Sequence, residues 1–190
     1  RRRCCVGDSF INHSSYQGRL KENTQMGAEL IGLDSVEADA EMIAMVVDGL
    51  KKTGLTEFQV NIGHIDFIQS LLEATGLDAE EKEEVRELVS NRNYFGVEEI
   101  LDNRSVKENI KEAFRTLPEL TGGPEILEQA ARVAPSADAR LALARLQQIY
   151  RLLAIYKSED HVTFDLSMMG SYGYYTGIIF RAYTYGTGDA

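Results

Sequence analysis

The sequence is poor in the residues that build disulfide frameworks and metal sites. Its 190 residues include no tryptophan, two cysteines, three histidines and three prolines. Cys4 and Cys5 are adjacent, so in a strand their side chains point to opposite faces and make poor disulfide partners. No Cys/His spacing typical of zinc occurs, and we predict neither a metal nor a cofactor. The two thiols are typical of small apolar strand residues in a reducing cytoplasm.

Positive charge is also scarce. The chain has 20 Lys and Arg residues but 30 Asp and Glu residues, so its formal net charge is −10. This balance argues against a broad electrostatic surface for nucleic acid, although a local basic patch can exist inside an acidic protein. The acidity also serves simply to keep a protein in solution. No apolar run reaches about 18 residues, so we expect no membrane span. Arg1, Arg2 and Arg3 are not followed by the apolar stretch of a signal peptide.

The sequence also lacks four common catalytic motifs: the P-loop, the dinucleotide fingerprint, the zinc-protease helix and the nucleophile elbow. The glycines Gly170 and Gly173 precede a predicted strand, whereas a phosphate-binding loop should open a helix. His13 in a polar loop and His161 before a strand are expected to be exposed. His64 lies at a strand-to-helix turn, where a capping or packing role is favoured over catalysis.

Apolar periodicity predicts an α+β chain in which strands and helices are segregated, which favours an antiparallel sheet. Two strands joined by a long polar loop form an antiparallel hairpin, and a helix follows that Asp34 or Ser35 caps. The remaining strands and the short helix between them are predicted at 58–62, 64–75, 162–168 and 178–185. Residues 1–190 are expected to be a piece of a longer protein, with a helical block at about 78–156 inside its single domain.

Within the helical block, several local signals define the helix ends. Asp78 followed by Glu81 resembles a capping box, and Ser136 is expected to cap the longest helix. The run from Gly122 to Pro124 is a helix breaker. The inner face of the longest helix is predicted to include Leu141, Ala144, Ile149, Leu152, Leu153 and Tyr156.

Two segments offer chemistry for a small polar ligand. Gln25, Gly27 and Glu29 share one face of a strand, and the glycine leaves room between the two polar side chains. A carboxylate there can bind an ammonium or a protonated imidazole, although a solvated sheet face is the default for such a pattern. The loop at 172–177 offers three phenols and a hydroxyl, which suit a small polar ligand as well as a tyrosine-rich turn packed on the sheet.

These two segments resemble the class II aminoacyl-tRNA synthetases of the histidyl type. The spacing of Gln25, Gly27 and Glu29 resembles their motif 2 return strand. The run Tyr-Tyr-Thr-Gly-Ile-Ile-Phe at 174–180 resembles their histidine-specific signature, and the resemblance covers nearly the whole chain in order. It implies an antiparallel sheet flanked by helices, with the helical block inserted before the last strands. It also implies a histidine site formed by Gln25, Glu29, Tyr174 and Tyr175, with Glu29 on the imidazole and Gln25 near the amino-acid backbone.

The chain departs from the synthetase pattern where the chemistry should be. Ile11 and His13 stand where motif 2 has its arginine and glutamate, and Gly170 and Gly173 stand where the histidine-specific loop has its catalytic arginine and its aspartate. Losing one preorganised donor for developing charge typically costs about 10²–10³-fold in rate. The resemblance therefore implies a pocket without catalytic residues.

A family of synthetase paralogues has this profile, namely the regulatory subunits of ATP phosphoribosyltransferase. That resemblance implies a non-catalytic, cytoplasmic subunit that forms a hetero-oligomer with the short-form catalytic subunit, senses L-histidine in the first step of histidine biosynthesis, and does not bind tRNA. The alternatives are a fragment of a divergent histidyl-tRNA synthetase and a stand-alone amino-acid sensor that binds another protein.

Overall fold

The computed structural model describes residues 1–11, 21–170 and 175–184. The strands are β1 Arg2–Phe10, β2 Glu22–Leu30, β3 Phe58–His64, β4 Thr121–Gly122, β5 Val162–Asp165 and β6 Ile178–Thr184. The helices are α1 Val36–Lys52, α2 Ile65–Thr75, α3 Ala79–Ser90, α4 Tyr94–Asp102, α5 Glu108–Thr116, α6 Ile126–Val133 and α7 Ala137–Ile155. The predicted α+β organisation is confirmed. The short strand β4 was not predicted, because two residues beside a glycine-rich breaker carry no alternation.

The described strands form two sheets. Strands β1 and β2 pair as an antiparallel hairpin, and the second sheet has the order β4-β5-β3-β6. Strands β3 and β6 are antiparallel, but β3 and β5 are parallel, with Val60 opposite Val162. The expectation of a wholly antiparallel sheet is therefore wrong for this pair. A parallel pair needs a long crossover, and the helical block between β3 and β5 supplies it.

The main core lies against one face of the four-stranded sheet. Phe58, Val60 and Ile62 alternate along β3 and are buried there, as the strand pattern predicts. Helix α7 packs against α1, α2 and β3. Helix α2 buries Phe67, Ile68, Leu71 and Leu72 on one side.

The buried face of α7 differs from the prediction. Leu141 is 67% exposed, Tyr156 is 51% exposed and Ala144 is exposed too, whereas Ile149 and Leu153 are buried as predicted. The remaining buried positions are Ala139, Ala142, Leu143 and Leu146. Successive helical residues are about 100° apart, and apolar residues lie on more than one side of this helix. Its pattern therefore admits two orientations, and packing against α1 and α2 selects between them.

The predicted helix caps are confirmed. Ser35 Oγ accepts a hydrogen bond from the Ala38 N–H at 3.2 Å, and Ser136 Oγ accepts one from the Ala139 N–H at 3.1 Å. Asp78 and Glu81 form a reciprocal capping box at the start of α3. Such caps satisfy backbone donors that the first helical turn leaves without partners.

The two described histidines have structural contacts: His64 caps a helix, and His161 stacks on an aromatic ring. His64 is 4% exposed, and its Nδ1 accepts a hydrogen bond from the Asp66 N–H at 3.2 Å. Burial lowers the pKa of His64, which favours the neutral ring that this acceptor role requires. His161 is half-buried and stacks on Phe58 with ring centroids 4.3 Å apart, so the expectation of an exposed ring is wrong. His13 lies outside the described residues.

Gly63 marks a close approach between β3 and the chain that follows β5. A Cβ atom at this position would lie 2.7 Å from the carbonyl oxygen of Asp165 and 3.1 Å from Cβ of Met168. Both neighbours are backbone or near-backbone atoms, so they cannot move aside cheaply. Only glycine permits this spacing.

We expect Gly63→Ala to lower the free energy of unfolding by about 1–3 kcal/mol, because overpacking forces the backbone to shift. The matched control is Gly49→Ala in α1, where a Cβ meets nothing within 4 Å. That change should raise stability by about 0.5–1 kcal/mol, since alanine favours helix more than glycine does. Urea denaturation of both variants measures the difference, and equal stability of Gly63→Ala and the wild type would contradict the proposed contact.

Candidate functional site

The β1–β2 hairpin places Gln25 and Glu29 on one face, as their spacing predicts. Gln25 lies opposite Gly7, Gly27 opposite Cys5, and Glu29 opposite Arg3. Directly paired residues of two strands point to the same side, so Cys5 and Arg3 belong to this face as well. Both Gln25 and Glu29 are exposed. The carboxylate is therefore accessible to a ligand.

The room above Gly27 is smaller than the sequence suggests. A Cβ atom on Gly27 would lie 3.0 Å from Sγ of Cys5, so the thiol of the neighbouring strand covers part of the space. Arg3 lies across from Glu29 and adds positive charge to the same face. A cationic ligand at Glu29 therefore meets both an attractive carboxylate and a competing guanidinium.

Of the two predicted tyrosines, the described Tyr175 lies next to the other sheet. Tyr175 precedes β6, and the carbonyl of Gly177 accepts a hydrogen bond from the Ile65 N–H at 2.9 Å, which ties the end of the loop to the start of α2. Tyr175 is 44% exposed. Tyr174 lies outside the described residues. No strand pairing between the described residues joins β2 to β6, so backbone pairing alone does not bring Gln25 and Glu29 to Tyr175.

Gly170 and Tyr175 are packed against each other. A Cβ atom on Gly170 would lie 2.7 Å from Cδ2 and 2.9 Å from Cβ of Tyr175. The space into which a side chain at position 170 would extend is thus occupied by the tyrosine. An arginine cannot stand at 170 unless Tyr175 moves.

The hairpin is tied to the helices by an ion pair at its open end. The Arg2 guanidinium donates to both carboxylate oxygens of Glu41 in α1, one of them at 2.7 Å from Nη2. This hydrogen bonding lowers the pKa of Glu41. Farther along the same face, Val6 and Met26 lie opposite each other and are 73% and 79% exposed. The hairpin is therefore held near its base and leaves the apolar residues farther along it uncovered.

Sequence reasoning missed a polar cluster on the four-stranded sheet. Arg92 donates from Nη2 to Oδ2 of Asp165 at 2.7 Å, and the backbone N–H and hydroxyl of Ser167 both donate to Oδ1. Asp165 is 3% exposed, and its hydrogen bond raises the pKa of Arg92. Arg92 and Asp165 are 73 residues apart, so no local pattern could have paired them.

Two other features, a metal-binding group and a membrane-spanning helix, are absent from the described residues. Within the ranges that the structure describes, no three His, Cys, Asp or Glu side chains are grouped so that they could hold a metal ion. No helix in those ranges combines the length and the apolar character needed to cross a bilayer.

Comparison with known proteins gives the family. The family model for Histidyl-tRNA synthetase matches residues 1–190. The ATP phosphoribosyltransferase regulatory subunit of Geobacter metallireducens is 42% identical over 181 residues, which cover 95% of this chain and 42% of that protein. The same subunit of Acetivibrio thermocellus is 37% identical over 183 residues, covering 96% of this chain and 44% of that protein. The chain thus spans less than half the length of these curated relatives.

Solved structures agree on the fold. An ATP phosphoribosyltransferase regulatory subunit/histidyl-tRNA synthetase from Bacillus halodurans superposes with a TM-score of 0.88 at 30% identity, covering 99% of this chain and 49% of that one. An ATP phosphoribosyl transferase (HisG:HisZ) complex from Thermotoga maritima matches with a TM-score of 0.72 at 17% identity over 97% of this chain and 64% of that one, which shows the fold alone. The predicted class II synthetase-like fold is confirmed, and the chain belongs to the histidyl-tRNA synthetase family.

Proposed function

We propose that this chain is part of a non-catalytic regulatory subunit of ATP phosphoribosyltransferase, which acts in the cytoplasm in the first step of histidine biosynthesis. The observation that carries the proposal is the identity of 37–42% to curated regulatory subunits over 95–96% of the chain. The partner is the short-form catalytic subunit, with which the protein forms a hetero-oligomer. A role that does not involve tRNA binding agrees with the net charge of −10.

The absence of catalysis is supported by what occupies the arginine positions. Ile11, 43% exposed, stands where the motif 2 arginine of the synthetases is expected, and it offers no donor to a phosphate. Gly170 stands at the second position, and Tyr175 fills the adjacent space. Each missing donor costs about 10²–10³-fold in rate, so two losses make adenylation negligible.

Histidine sensing is the finer part of the proposal. Glu29 holds the imidazole of histidine, Gln25 lies near the amino-acid backbone, and Tyr174 and Tyr175 complete the pocket. The accessible carboxylate on the hairpin supports this role, and Cys5 beside Gly27 limits the ligand to a small size. Regulation then requires that histidine bind one state of the complex more tightly than another.

A divergent histidyl-tRNA synthetase is the second candidate. It is favoured by the family model itself, which carries the synthetase name and matches residues 1–190. It would need arginines supplied from elsewhere than positions 11 and 170. A charging assay separates the two candidates directly.

For the full-length protein, we expect co-purification with the short-form catalytic subunit and no charging of tRNA with histidine. The measurement is a pull-down with tagged catalytic subunit, followed by an aminoacylation assay on the pure protein, with an active histidyl-tRNA synthetase as the positive control. Histidine-dependent charging would establish the synthetase. A protein that neither charges tRNA nor retains the catalytic subunit would contradict both candidates.

Glu29→Ala in the full-length protein should weaken histidine binding by about tenfold or more, because a charge-assisted hydrogen bond is lost. The matched control is Glu22→Ala, which removes an exposed carboxylate from the same strand but from its other face. Isothermal calorimetry with histidine compares both variants with the wild type. Equal affinities for Glu29→Ala and Glu22→Ala would show that Glu29 is not a contact.

Gly170→Ala should also weaken histidine binding, although alanine adds only a methyl group, because that methyl displaces Tyr175. Gly49→Ala, at a site with open space, serves as the control and should bind histidine as the wild type does. Calorimetry gives the affinities, and unchanged binding by Gly170→Ala would exclude Tyr175 in its present position as part of the pocket.

A further inference from the structure

The face of the four-stranded sheet opposite the main core is polar. The register places Asn61 of β3 between Thr163 of β5 and Arg181 of β6, and it places Gln59 beside Tyr183. The hydroxyl of Thr163 donates to Oδ1 of Asn61 at 2.7 Å. Since directly paired residues share a face, Arg181 and Tyr183 extend to the same side as these amides and hydroxyls.

Arg92 reaches this face from the turn between α3 and α4. Its backbone has φ of 56°, in the left-handed region that non-glycine residues rarely adopt. Its guanidinium meets the buried Asp165, whose second oxygen is occupied by the two donors of Ser167. Both oxygens of Asp165 are thus satisfied. The side chain of Arg92 is still 57% exposed, so donors other than Nη2 remain accessible.

Arg92 and Arg181 line one cleft of about 370 Å³. Its walls also include Ser90, Tyr183 and the apolar side chains of Met168 and Met169. Among the described residues, the side chain of Arg181 has no hydrogen-bond or ion-pair partner, although its backbone pairs with β3. By contrast, Arg92 and the arginines at 2, 86, 104, 115 and 145 each meet a carboxylate.

The charge in the cleft is positive despite the acidity of the chain. The guanidinium groups of Arg92 and Arg181 and the carboxylate of Asp165 give a formal charge of +1. The carboxylate already accepts hydrogen bonds from three donors. A guanidinium presents its N–H groups in a planar fork that matches the oxygens of a phosphate or a carboxylate. An acidic protein repels anions in general, so a local arrangement of this kind is what an anion requires in order to bind.

We propose that this cleft binds a small organic oxyanion, with its phosphate or carboxylate group held by Arg181 and the accessible donors of Arg92. The methionine side chains contact the apolar part of the same molecule. The cleft also includes Gly170, which packs against Tyr175 of the proposed histidine pocket, but the inference uses neither Gln25 nor Glu29. Arg181 is the residue to test, since Arg92 also holds the buried Asp165.

The experiment titrates the full-length protein with inorganic phosphate and, separately, with acetate by calorimetry, at constant ionic strength with chloride as the balancing anion. We expect Arg181→Gln to weaken binding by about tenfold or more, since a charged hydrogen-bond donor is removed. The matched control is Arg151→Gln on α7, which removes an exposed arginine outside the cleft and should leave binding unchanged. Arg181→Lys keeps the charge without the fork and should give an intermediate affinity.

Saturable binding of phosphate but not acetate would assign the cleft to phosphate groups, and binding of acetate but not phosphate would assign it to carboxylates. Binding of both would show that the cleft accepts either group. Equal affinities for Arg181→Gln and the wild type would overturn the proposal, as would equal weakening by Arg151→Gln or the absence of saturation with either anion. The side chain of Arg181 is exposed and has no described partner, so its replacement should leave the melting temperature unchanged. That comparison separates loss of binding from loss of folding.

Discussion

The fold of the four-stranded sheet depends on how closely other parts of the chain approach β3 at Gly63. Strand β3 is central, and at this residue the chain after β5 and the side chain of Ile179 on β6 both come within contact distance of a would-be Cβ. The next residues continue directly into α2, whose Ile65 N–H bonds to the Gly177 carbonyl. Gly63 therefore permits the close spacing of the strands, and the residues directly after it connect β3 to the start of α2 and to the end of the tyrosine loop.

A second constraint connects the helical block to the sheet. Asp165 is buried at the end of β5, and Arg92 from the α3–α4 turn supplies its only described cation. Removing the cation would leave a buried carboxylate without charge compensation, which is far more costly than losing an exposed ion pair. The same contact places a guanidinium over the outer face of the sheet, so a structural ion pair also shapes the polar cleft.

Local signals in the sequence predict most of the helices and strands, but they do not predict how these elements pack together. The caps at Ser35, Asp78 and Ser136 follow from nearest-neighbour chemistry, and each was predictable. The orientation of α7, the parallel pairing of β5 and the stacking of His161 on Phe58 depend on residues far away in the chain. For the candidate site, spacing placed Gln25 and Glu29 on one face, but it could not reveal that Cys5 of the opposite strand covers Gly27.

The packing of Gly170 against Tyr175 connects two parts of the proposed function, the missing catalytic arginine and the tyrosine proposed to contact histidine. An arginine at 170 and a tyrosine ring 2.7 Å from its Cβ cannot coexist, so this position of Tyr175 is available only when the arginine is absent. Restoring the arginine by one substitution would displace the residue proposed to contact histidine.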